Sequence, residues 1–116
     1  VSMALLASCE AALRVDFRLR VERQRKEPKS VRDRFKAISD RDGDRVRLDD
    51  ILEVWKEHCG APARFAAVSE YLKVRHWLAH GRYWSLKTHR KPDPSDVLTA
   101  MREMFSVLPA DHFPRV

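Results

Sequence analysis

The chain has 116 residues and a formal net charge of +6 at pH 7. Hydrophobic residues make up 44% and charged residues 34%, a mix that suits one globular domain over residues 1–116 and excludes extended disorder. No apolar run approaches transmembrane length, and two cysteines cannot build a disulfide framework, so a membrane-spanning chain and a disulfide scaffold are both set aside.

Leu5, Cys9, Leu13, Phe17 and Val21 recur at four-residue steps, flanked by Leu6 and Ala12. They predict one long helix over residues 2–25 with an apolar stripe. Arg14, Arg18, Arg20, Arg23 and Arg25 take much of its other surface, and Asp16 stands one turn before Arg20, where an ion pair supports the helix. The apolar start, Val1 to Cys9, lacks a cationic leader, so it reads as the first turns of this helix and not as a signal peptide. Pro28 breaks the pattern. Ser30 is placed to cap a short helix to about Ser39, with Val31, Phe35 and Ile38 inward. Asp40 to Asp44 reads as a polar turn around Gly43. A third helix is expected from Asp49 to about Cys59, carrying Ile51, Leu52, Val54 and Trp55. Gly60 stops it, and Pro62 sits where a first helical turn accepts proline.

The next helix is predicted over residues 62–80. With Phe65 as zero and about 100° per residue, Val68, Tyr71, Leu72, Leu78 and Ala79 share its face. Arg75, at about 280° on the same count, falls in the middle of that face and breaks the pattern. Residues 81–91 form a polar connection containing Tyr83 and Trp84. Asp93 then caps a last helix, with Pro94 first and Asp96 in the third place. Val97, Leu98, Met101, Met104, Phe105 and Leu108 give it a stripe. No alternating strand pattern or internal repeat is present. The expected fold is all-α: an antiparallel bundle of four main helices plus a short extra one.

Arg75-His76-Trp77-Leu78-Ala79-His80, followed by Gly81, is the most informative run. It sets a permanent cation on an apolar face and, five residues later at a helix end, a group that titrates near neutral pH. Phosphate-ester chemistry needs both. An arginine there can also snorkel from the bundle edge, or pair with an internal carboxylate such as Asp16. A histidine at a helix end can simply meet the last carbonyls.

This run and the order of helices around it resemble the HEPN superfamily, whose signature is an arginine, often followed by a polar residue, and a histidine four to six positions further on. The resemblance implies a homodimer with two motif helices face to face, and metal-independent RNA cleavage in which Arg75 clamps phosphate and His80 serves as general base or acid. His76 would orient the site or bind RNA, with Arg82 and Tyr83 as further RNA contacts. It also implies a toxin or defence effector, with a nucleotidyltransferase-type antitoxin as a possible partner. In toxin members a tyrosine stands second after the histidine; here Arg82 does, and Tyr83 is third. The alternative is a non-catalytic helical module that binds RNA or nucleotides, or serves in assembly, through the basic stretch from Arg14 to Arg47.

That stretch holds 13 Lys and Arg against 7 Asp and Glu. It suits an anionic partner such as RNA, and it equally suits a solvated helix face. No cofactor and no metal are expected. Placing Gly43 at the sixth position of a calcium loop puts Ile38 first, where a carboxylate is needed. His58 and Cys59 lack a second close pair for zinc. Cys9 and Cys59 read as reduced thiols of a cytoplasmic protein.

Overall fold

The computed structural model of the chain describes residues 2–22, 25, 28–79, 93–109 and 112–113, of which 2, 3 and 77–79 are described by their backbone. Among the described residues the fold is all-α. Its helices are α1 (Ser2–Val21), α2 (Lys29–Asp42), α3 (Leu48–Cys59), α4 (Pro62–Ala79) and α5 (Pro94–Val107).

Helix α1 packs against all four others. The reason lies in which of its residues turn inward: Leu6, Cys9, Leu13, Asp16 and Arg20, each at most 1% exposed. These follow steps of three and four, which keep one face of a helix in register. A ladder of four-residue steps drifts around the axis by about 40° each time. Leu5, Phe17 and Val21 therefore lie at the edge of the core, half-buried. Asp16 and Arg20 lie inside it.

This corrects the expectation that Arg20 belongs to an outer arginine surface. The ion pair with Asp16 forms as its spacing predicts, but in the interior. Arg20 Nε donates to both carboxylate oxygens of Asp16, at 3.0 and 2.9 Å. Its guanidinium lies over the Trp55 ring, 4.9 Å from the centroid, and its Nη2 meets His112 Nδ1 at 2.7 Å. Guanidinium can only donate, so this Nδ1 is the acceptor and carries no proton. Arg25 completes the cluster. Its Nη1 donates to Asp16 Oδ1 at 2.6 Å and to the His112 carbonyl at 3.2 Å. Helix α1 ends at Val21, short of the expected residue 25. Arg25, already outside the helix, reaches back to Asp16.

Around the cluster lies an aromatic core. Trp55 meets Phe35 and Phe113 edge-on at 5.9 and 5.7 Å, and Phe17 leans on Phe35 at 4.9 Å. Among the described residues nothing accepts from the buried Trp55 Nε1, an omission that costs about 1–3 kcal/mol. Wide ring contact and the overlying cation offset it.

The connections obey local rules with two exceptions. Gly60 ends α3 with a left-handed φ of 64°, a conformation glycine adopts without penalty. Pro62 opens α4. Asp93 caps α5, its carboxylate accepting from the Ser95 N–H at 2.8 Å. By contrast, Ser30 is not a cap. Helix α2 starts two residues earlier than that cap would set, at Lys29 after Pro28, with no side-chain cap. Nor is 40–44 a plain turn: α2 continues to Asp42, and a single 3-10 turn, Gly43–Arg45, follows it. The helix expected to be short thus matches α5 in length, 14 residues each.

Removing the Asp16 carboxylate should leave Arg20 buried without its counter-ion. Asp16→Ala is expected to lose about 3–5 kcal/mol of stability in urea titration. The Ser95 N–H holds the Asp93 carboxyl below its usual range. That stabilisation exists above the ordinary carboxyl pKa of about 4 and fades as pH falls through the lower folded value. Asp93→Ala should therefore be less stable than wild type at pH 7, with the gap closing in acid denaturation below about pH 4.

Candidate functional site

Helix α4 presents Phe65, Val68 and Leu72 to the core, with Tyr71 half-buried beside them. Arg75 follows on that face and is half-buried, as its wheel position requires. It is not left without a counter-ion. Its Nη1 donates to Glu10 Oε1 at 2.7 Å. The carboxylate that meets Arg75 is thus Glu10, not Asp16, which is committed to Arg20 and Arg25. Glu10 is shared: its Oε2 accepts from Arg14 Nε at 2.9 Å, while Arg14 Nη1 donates to the Val46 carbonyl at 3.0 Å. Two guanidiniums therefore divide one carboxylate. The side chains of Arg14, Arg75 and Glu10 keep 41%, 30% and 25% of their exposure, so the triad stands at the surface.

Beside it a groove of about 610 Å³ opens between α1, the start of α3, and α4. Glu10, Arg14, Arg47, Asp49, Lys73 and His76 line it. Arg47 faces Asp49 at 3.8 Å and Lys73 faces Glu70 at 3.5 Å, all four exposed. With Arg75 included, four cations meet three carboxylates, and His76 adds an imidazole ring. Pairing of exposed charges is weak and yields to a multivalent anion. The groove can therefore receive phosphate oxygens.

The sequence-derived site residues fare differently. Arg75 and His76 come to one end of α4, with His76 on the groove wall. His80, Arg82 and Tyr83 lie outside the described residues, as do Gly81, Trp84 and the rest of the predicted connection. The side chains of Leu78 and Ala79 also lie outside. Sequence reasoning missed Glu10 as the partner of Arg75, 65 residues away. Only the apolar neighbours Cys9 and Leu13 hinted that Glu10 sits near the core edge. It also missed Val74, which is 7% exposed on the side of α4 opposite Phe65. Arg14 and Arg47, the two ends of the basic stretch, do meet in the groove.

Neither cysteine is activated by its surroundings. Burial first, and then the charge of Glu10, push the Cys9 thiol up to about 12. Burial also raises Cys59, whose Sγ donates to the Val107 carbonyl at 3.3 Å. Among the described residues no group of three or more His, Cys, Asp or Glu could hold a metal, and no helix is long and apolar enough to cross a membrane.

The Arg75–Glu10 pair joins α1 to α4 but remains solvated. Arg75→Ala is therefore expected to cost less than about 1 kcal/mol in urea titration, a small fraction of the Asp16→Ala loss. A larger loss would make Arg75 a structural strut.

No family model matches the chain, and no curated protein or solved structure matches it either. The chemistry of this site rests on the residues just described.

Proposed function

We propose that the chain is a metal-independent endoribonuclease of HEPN type, working as a homodimer with Arg75 and His80 of both copies in one cleft. The observation that carries this reading is Arg75 itself. It breaks the apolar face of α4, stays half-exposed, and shares the Glu10 carboxylate with Arg14. Two cations against one anion leave room for a phosphate.

In this reading one His80 takes the proton from a ribose 2′-hydroxyl. The 2′-oxygen bonds to the adjacent phosphorus, and the bond from phosphorus to the 5′-oxygen breaks. The second His80 gives a proton to that leaving oxygen. The products are a 2′,3′-cyclic phosphate and a free 5′-hydroxyl. Arg75 neutralises charge on the non-bridging oxygens. One copy has one such pair; two-fold symmetry supplies the two histidines the steps require. His76, Arg82 and Tyr83 hold the strand, and the basic groove tracks its backbone. The reading includes a cytoplasmic setting, which suits two free thiols, and a nucleotidyltransferase-type antitoxin as a candidate partner.

One observation favours the alternative, a non-catalytic RNA- or nucleotide-binding or assembly module: Arg75 already has a partner in Glu10. Incubating RNA with wild type, Arg75→Ala and His80→Ala in excess chelator separates the two. The nuclease reading expects cyclic-phosphate ends from wild type and a rate lower by about 100-fold or more in each variant. Equal cleavage by all three would remove the assignment. Binding that weakens steeply with salt, without cleavage, supports the module instead.

A further inference from the structure

Glu10 is the residue through which Arg75 is tied to the groove. Its two oxygens are divided between two helices' worth of cation: Oε1 takes Arg75 from α4, and Oε2 takes Arg14 from α1. Arg14 is anchored in turn to the Val46 carbonyl. The carboxylate thereby stands at a fixed place on the groove wall, and it fixes one edge of the Arg75 guanidinium. Arg75 uses only Nη1 for this bond. Among the described residues no group takes its Nε or Nη2, the two donors that make a bidentate fork for a phosphate. An arginine held at one donor loses less rotamer freedom when a ligand takes the others. The same carboxylate opposes any anion entering beside it.

We infer that Glu10 is a positioning residue of this site: it orients Arg75 for phosphate and sets, by its charge, how tightly the groove holds an RNA backbone. The kinetic half of this inference rests on the nuclease reading; the binding half does not. A residue with both duties has a distinctive signature. Neutralising it strengthens ground-state binding and weakens turnover, because the added attraction is uniform while the alignment is lost.

The experiment compares wild type with Glu10→Gln, which is isosteric, and Glu10→Ala, which removes the anchor altogether. Affinity is read with a fluorescent 2′-O-methyl RNA oligonucleotide, which cannot be cleaved through its 2′-oxygen. Turnover is read with the unmodified strand, per folded molecule from a parallel denaturation curve. Glu10→Gln is expected to bind the 2′-O-methyl strand about threefold more tightly, the scale of one lost solvated charge pair. Its kcat should fall about tenfold, and that of Glu10→Ala further. Unchanged affinity and unchanged kcat in both variants, even with lowered stability, would overturn the inference and leave Glu10 a tie between helices. If wild type does not cleave, the nuclease reading falls by itself. The affinities then decide: tighter binding by Glu10→Gln supports the charge role, and equal binding overturns it.

Discussion

A carboxylate buried in the first helix organises this molecule. Asp16 is fully enclosed, and an ion taken from water into a protein interior loses several kcal/mol unless its lone pairs are filled. Arg20 fills them from one turn away and Arg25 from beyond the helix end. Each arginine then holds the segment near the C-terminus, through the ring and the carbonyl of His112. With His112 fixed, Phe113 enters the aromatic core against Trp55 and Phe105. One charge thus gathers three stretches of chain that the sequence sets far apart.

The candidate site repeats this chemistry under different solvation. Helix α1 carries two acids, and each serves two arginines: Asp16 holds Arg20 and Arg25, and Glu10 holds Arg14 and Arg75. The inner set is walled by Trp55. The outer set lies beside an open groove. Low dielectric makes the first rigid; water and counter-ions make the second negotiable. A fold that locks one pair of arginines can therefore leave another free to exchange partners without loosening the bundle.

How much of this could be read from residue order depends on the distance over which each cause acts. Gly60, Pro62 and Asp93 act within a turn, and each marked its helix boundary. Ser30 failed as a cap because Pro28, two residues earlier, had already set the entry geometry of α2. The inner face of α1 was misjudged for a subtler reason. Its leucines suggested four-residue steps, whereas packing against four helices keeps to three and four, and that rotation carries Asp16 and Arg20 inward. Nothing local announces that Arg20 is buried, because Trp55 and His112 come from elsewhere in the chain. Arg75 was the opposite case. Its misfit with the face of α4 was plain, but the carboxylate that meets it was not, since Glu10 lies in another helix. For His80, Arg82 and Tyr83, the sequence is the whole basis of the roles proposed.

The inner cluster also shapes what can change at position 20. The guanidinium there is used edge and face at once, toward a carboxylate, an imidazole and an indole. A lysine would bring the charge but no flat fork, and a leucine would leave the enclosed Asp16 to Arg25 alone. Exchanging both members together for apolar side chains of matched volume is gentler, because neither buried ion is left alone and Arg25, partly exposed, can turn to water. Variation at this pair must therefore move in double steps, and either half-step crosses a valley.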